Sequence, residues 1–197
     1  MNGHRNLHHF PMGFDDPELG SQQTFRAMVK ALDNPGDLVR IQSKLFVPAA
    51  LNSASAALFL TLCNDKTTVW ADLNWDLPLI DWFHLQCGCD IVTEPCMASL
   101  ALITKPNTMP PLDHFRIGDN ENTDTSATLI VQVGKLSANT AKNPIRRMID
   151  YMRYRPLEEM PAHLWDTWCH PSQCHPRRVD MFLTCDDTLA VMPPAIG

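Results

Sequence analysis

Two Cys-His dipeptides, Cys169-His170 and Cys174-His175, together with Cys87 and Cys89, supply the thiolates and imidazoles of which tetrahedral zinc centres are made. Their spacing suits that chemistry poorly. Cys-x4-Cys is only loosely finger-like, Cys87 and Cys89 are a single residue apart, and Pro171 and Pro176 restrict the loop. The pattern therefore favours loop residues, with one or two of the cysteines packed as small hydrophobes. The expectation is that folding requires no metal.

The second chemically competent group is cationic. Arg146, Arg147, Arg153 and Arg155 lie opposite the apolar stripe of a segment at 144–155 whose one acid is Asp150. Guanidinium groups grip phosphate oxygens through pairs of parallel hydrogen bonds, so this face has the chemistry for a triphosphate or a phosphonate. A solvated helix face or a subunit contact is the plainer reading. Arg26 has the same two readings, an anion contact or an ion pair that anchors its helix. The chain carries no G-x-S-x-G, P-loop, dinucleotide fingerprint or H-E-x-x-H. A self-sufficient enzyme is not indicated.

The elements that would position these groups follow from periodicity. Phe25, Met28, Val29 and Leu32 repeat at i, i+3, i+4 and i+7, which predicts an amphipathic helix with Ser21 as N-cap and Asn34-Pro35-Gly36 as its stop. Leu38 to Val47 reads as strand-like, and Ser53 to Leu62 is small and apolar enough for a second, buried helix. Leu79 to Gln86 predicts a helix ending at Cys87-Gly88. Pro144 to Tyr154 predicts another behind an Asn143 cap, with Ile145, Met148, Ile149 and Met152 on one stripe.

β-rich runs alternate with these helices: Thr67 to Ala71, Ile91 to Thr93, Leu100 to Thr104, Thr128 to Val133, Val179 to Cys185 and Leu189 to Met192. Such interleaving points to an α/β layered domain with a mixed sheet. The last two runs are separated only by the residues around Asp186-Asp187 and predict an antiparallel hairpin. Residues 1–20 lack apolar periodicity and read as a loosely ordered lead-in to a single domain at 21–197. Pro106 to Pro111 is the best candidate break, and its length suits a surface loop equally well.

Composition sets the outer limits. In 197 residues, 45% are hydrophobic and 19% charged, which excludes disordered and coiled-coil chains. Sixteen Lys and Arg against 22 Asp and Glu give a net charge of −6, so no overall positive field favours nucleic acid. Seven cysteines, at 63, 87, 89, 96, 169, 174 and 185, are an odd number in a chain long enough to bury its own core, so reduced thiols are expected. No apolar run approaches the roughly 20 residues of a membrane span, and no signal-type segment opens the chain. The expected location is the cytoplasm.

The order of segments resembles the PhnH family, subunits of the bacterial carbon-phosphorus lyase system that degrades phosphonates. The run Phe25-Arg26-Ala27-Met28-Val29-Lys30-Ala31-Leu32-Asp33-Asn34-Pro35-Gly36 is similar to that family's opening helix and stop. Leu58 to Asp65 through Val69-Trp70 is similar to its next helix and strand, and Leu129 to Val133 fits a family strand. Val179 to Cys185 through Met192-Pro193 resembles its closing hairpin, with Trp165 at a family-like distance before Asp180. The resemblance covers about 21–135 and 160–194. It departs where Ser137 to Asn143 replace a glycine- and proline-bearing turn, at Arg178 in place of a glycine, and at Pro194-Ala195-Ile196.

This resemblance implies a three-layer α/β/α fold like the large domain of pyridoxal-phosphate transferases, without that cofactor. It also implies that the chain helps displace the base of a nucleoside triphosphate by a phosphonate, giving ribose 1-phosphonate 5-triphosphate. The implied partners are PhnG, PhnI, PhnJ and PhnL-like subunits and a second copy of the chain; nucleic acid and membrane are not among them. No catalytic residue is assigned. The transferase-like fold raises one alternative, a stand-alone metal- or pyridoxal-phosphate-binding enzyme. Schiff-base chemistry would need Lys105 as the lysine at a strand end and Asp180 as the acid facing the pyridine nitrogen.

Overall fold

The protein is described from a computed structural model at residues 13–73, 77–116, 126–136, 160–164 and 179–192. Its first long element, α1, runs over Pro17–Asp33 and starts four residues before Ser21. The start signal is Asp16-Pro17-Glu18: the Asp16 carboxylate accepts the Leu19 N–H at 3.0 Å, proline occupies the first turn, and an acid complements the positive helix end. Apolar periodicity begins later, so it misses this turn. The short strand β1 (Gly13–Phe14) and the first turn of α1 therefore fall within the lead-in assigned to 1–20.

α1 also turns a different face inward from the one its largest apolar residues predict. Its buried residues are Gly20, Thr24, Ala27, Met28 and Ala31, while Phe25, Val29 and Leu32 are 57%, 40% and 40% exposed. The small face wins because the helix lies close to its neighbours: Gly20 abuts the Phe14 ring, and Ala31 is fully buried. Thr24 survives in that interior because its hydroxyl donates to the Gly20 carbonyl at 2.8 Å.

The strand-like run at 38–47 divides in two. β2 (Val39–Arg40) pairs antiparallel with the last strand, and β3 (Leu45–Phe46) pairs antiparallel with β1 in a separate two-stranded sheet. α2 occupies Ser53–Leu62, as its composition predicts, with Ala54 to Phe59 all buried. There follow β4 (Thr68–Ala71), α3 (Leu77–Cys87), β5 (Asp90–Ile91), β6 (Leu100–Ile103), β7 (Thr128–Gln132), β8 (Asp180–Cys185) and β9 (Thr188–Val191). Each of these lies within about two residues of its sequence-derived limits.

The main sheet has seven strands in the order β2-β9-β8-β7-β6-β4-β5. Neighbours from β8 to β5 are parallel, while β9 returns antiparallel to β8 and carries β2 on its far edge. The sheet is thus mixed, and the β8–β9 hairpin turns at Asp186-Asp187 with Asp186 at φ 51°. Central strands such as β6 are buried at every position because both faces are covered. On one face Leu100, Leu102, Ile130 and Phe182 pack with α1, α2 and α3, where Phe59 meets Phe83 edge-on at 4.3 Å.

On the opposite face Ala101, Ile103, Leu129, Val131, Met181 and Leu183 pack with Met109, Leu112, Phe115, Met160 and Leu164. The Pro106–Pro111 stretch, the candidate break, runs against the sheet. A 3-10 turn at Pro106–Thr108 buries Pro106, and Met109 after it packs into this second core. The predicted helix at 144–154 lies outside the described residues.

Candidate functional site

A parallel sheet presents ligands at the carboxyl ends of its strands, above all where neighbouring connections leave in opposite directions. Here β4 connects outward through α3 to β5, whereas β6 leads the other way to β7, so the crevice belongs between the ends of β4 and β6. Asp72 fills it. One carboxylate oxygen accepts the Thr104 N–H at 2.7 Å and the Thr104 hydroxyl at 2.8 Å, and the other accepts the Lys105 N–H at 2.7 Å. The carboxylate binds the two strand ends to each other.

Lys105 follows β6 at this same carboxyl edge, and its side chain is exposed. Asp180 opens β8, paired in register with Thr128 at the start of β7, and so stands at the amino edge. Desolvation raises the Asp180 carboxyl above its ordinary range even though the residue reaches the surface. Because the strands between them are parallel, Lys105 and Asp180 occupy opposite ends of the sheet and cannot flank one ring. The Schiff-base pairing of the sequence reading is corrected on that ground.

A cleft of about 730 Å3 opens further along the carboxyl edge, lined by Arg40, Asn52, Ser53, Gln132, Asp186 and Asp187 among others. α2 points its N-terminus into it, and three of the donors there are already taken. The Asn52 N–H donates to Gln132 Oε1 at 2.6 Å, the Ala54 N–H to the Asp186 carbonyl at 2.8 Å, and the Ser55 N–H to Asn52 Oδ1 at 2.8 Å. Below the cleft the buried hydroxyls of Ser55 and Thr184 share a hydrogen bond of 2.6 Å, and Asn52 Nδ2 donates to the Thr184 carbonyl at 3.2 Å. This polar latch holds the start of α2 on the ends of β7 and β8.

The charge in the cleft is mainly acidic. Arg40 is tied to Asp187 at 2.6 Å, and the guanidinium holds that carboxyl below the usual carboxylate range. With the one arginine among its described lining residues paired and Asp186 beside it, this part of the cleft opposes a polyphosphate and favours ligands that donate hydrogen bonds.

Cys87 and Cys89 find their partner in Cys63, at the end of α2. The three thiols share side-chain hydrogen bonds, and Cys89 is buried with Cys63 and Cys87 packed on the same core. The bond to Cys87 and then burial push Cys63 up to about 12, and the bond to Cys63 and burial raise Cys89 as well. Cys63 and Cys89 are protonated thiols, and all three side chains pack as small apolar groups. Among the described residues no group of three or more His, Cys, Asp or Glu is arranged to hold a metal ion. Cys169, His170, Cys174 and His175, and the arginines at 146, 147, 153 and 155, lie outside the described residues. Arg26 is exposed on α1.

Sequence reasoning missed Asn52, Gln132 and Asp72. Asn52-Ser53 carries an N-cap signal, but only the register of β7 and β8 brings Gln132 and Thr184 beneath it.

Fold and cleft together define a class: an α/β protein whose largely parallel sheet is closed by a carboxyl-terminal hairpin, with no nucleotide-binding loop in its sequence. The chain belongs to the family of the bacterial phosphonate metabolism protein PhnH, which it matches over residues 12–196. It is 29% identical over 184 residues to the alpha-D-ribose 1-methylphosphonate 5-triphosphate synthase subunit PhnH of Rhizobium meliloti (strain 1021), across 91% of this chain and 90% of that protein.

Proposed function

We propose that this protein is a subunit of a phosphonate-processing enzyme that places a phosphonate on the ribose of a nucleoside triphosphate, and that it does not turn over alone. Membership of the PhnH family carries the reading, and the relative that is a synthase subunit supplies the reaction. The acidic cleft supports a helper role, since a triphosphate would meet Asp186 and Asp187 with the nearby Arg40 already paired. The contribution of the chain is then a surface that shapes or stabilises its partners. Those partners are PhnG, PhnI, PhnJ and PhnL-like subunits and a second copy of this chain, in the cytoplasm; no helix of the described residues is long and apolar enough to cross a membrane. The two cores on either face of the sheet support a three-layer arrangement of the kind found in the large domain of pyridoxal-phosphate transferases.

The test is genetic and biochemical together. Deleting the chain from its host abolishes growth on methylphosphonate as the only phosphorus source, and the tagged protein brings down the other subunits. Undiminished growth, or turnover by the isolated chain, overturns the proposal.

A further inference from the structure

Cys63, Cys87 and Cys89 are brought together by two helix ends that close at one place. Cys63 caps α2, its N–H donating to the Phe59 carbonyl at 2.8 Å, and Cys87 is the last residue of α3. Gly88 follows at φ 65°, a left-handed conformation that glycine adopts without a Cβ penalty, and its N–H donates to the His84 carbonyl at 3.0 Å. The turn folds the chain back so that the thiols before and after Gly88 both reach Cys63. The hydrogen bonds have a direction: the Cys89 thiol donates to Cys63, and the Cys63 thiol donates to Cys87. Exposure divides the three as well, since Cys89 is fully buried while Cys63 and Cys87 are half-buried.

Two sulfurs that already share a hydrogen bond reach the disulfide length of about 2.05 Å by rotation of their side chains. We propose that Cys63 and Cys87 form a reversible, peroxide-driven disulfide that staples the end of α2 to the end of α3, with Cys89 kept as the reduced third thiol. The first step falls to Cys87, because Cys63 holds its proton and Cys89 is shut away from solvent. The Cys87 sulfur attacks one oxygen of hydrogen peroxide; the O–O bond breaks, water leaves and a sulfenic acid forms. The Cys63 sulfur then attacks the Cys87 sulfur: the S–S bond forms, the S–O bond breaks, and the departing hydroxide takes the Cys63 proton as a second water. Two thiols lose two electrons, and the peroxide gains them. Oxidation of Cys87 also removes the acceptor that most strongly holds the Cys63 proton, so the first step prepares the second. A dithiol reductant reverses the bridge by exchange.

The full-length protein is treated with excess hydrogen peroxide, unfolded in the presence of iodoacetamide, digested without reduction and mapped by mass spectrometry. The expected product is a pair of peptides joined through Cys63 and Cys87, lighter by two hydrogens, with Cys89 alkylated; dithiothreitol separates the pair. The bridge closes the loop from Cys63 to Cys87, so the treated wild type is expected to melt about 5–10 °C above a Cys87→Ser protein treated in the same way. Cys63→Ser is expected to stop the reaction at the Cys87 sulfenic acid, which dimedone labels, and Cys87→Ser to leave Cys63 without dimedone. Wild-type peptides of Cys63 and Cys87 that stay unbridged overturn the proposal, and this arm needs no variant to fold. A bridge from Cys63 to Cys89, or dimedone on Cys63 in the Cys87→Ser protein, overturns the assignment of Cys87 as the first thiol to react. The outcome is independent of whether the chain is a synthase subunit, which growth on methylphosphonate reads separately.

Discussion

Replacing Thr184 by valine keeps the side-chain shape and removes only the hydroxyl. That hydroxyl is fully buried, shares the 2.6 Å hydrogen bond with Ser55, and donates to the Val131 carbonyl at 3.2 Å. The variant therefore strands the Ser55 hydroxyl, itself fully buried, and an orphaned buried polar group costs about 1–3 kcal/mol. We expect a loss of about 2 kcal/mol, which for a chain of this size is about 4–8 °C in the thermal midpoint. Ser55→Ala leaves Thr184 with Val131 as acceptor and Asn52 as donor, so it is expected to cost about 1 kcal/mol.

The double variant strands neither hydroxyl on the other, so its loss should fall short of the summed single losses by about 1–1.5 kcal/mol. Urea and thermal unfolding of the four proteins measure the cycle, with coincident fluorescence and circular dichroism transitions as the check on two-state behaviour. Additivity within about 0.3 kcal/mol would refute the latch, because it would mean that each hydroxyl is satisfied without the other.

Two further outcomes follow from packing and ionisation. In an exposed helix, glycine to alanine gains up to about 1 kcal/mol, but Gly20→Ala is expected to lose about 1–3 kcal/mol in urea unfolding, since its Cβ would run into the buried Phe14 ring; a more stable variant would show that α1 does not sit so closely. Cys63, shifted from 9.0 to about 12, should carry about 1000-fold less thiolate at pH 8 than in the unfolded chain, and iodoacetamide labelling followed by peptide mass spectrometry should slow accordingly. Because the folded value is the higher one, the contribution of this thiol to stability is complete below pH 9 and declines as pH rises from 9 towards 12; a stability that increases across that window would contradict the assignment.

Much of this protein was legible from local signals. Ser53 to Leu62 is a helix because small apolar residues follow an asparagine cap, and the runs at 100–103 and 128–132 are strands because they are short, apolar and β-branched or flanked by breakers. The Asp186-Asp187 hairpin needed nothing beyond two adjacent strand patterns. Ordered blocks of residues along the chain were enough to suggest the PhnH family, which the match over 12–196 bears out.

Other features depend on distant partners and carry no local signature. α1 buries Ala27 and Ala31 and exposes Phe25 because close approach to its neighbours outweighs the size of the side chains, and periodicity counts only the side chains. Asp72 and Thr104 meet because β4 and β6 are neighbours across a crossover, while Lys105 and Asp180 are kept apart because parallel strands place the end of one and the start of another at opposite edges. Cys63 joins Cys87 and Cys89 because the chain turns back after α2 and α3 at the same end of the sheet. Type and spacing along the chain determine what each segment can form; which chemistry-bearing side chains come within hydrogen-bonding reach is decided by strand order and register.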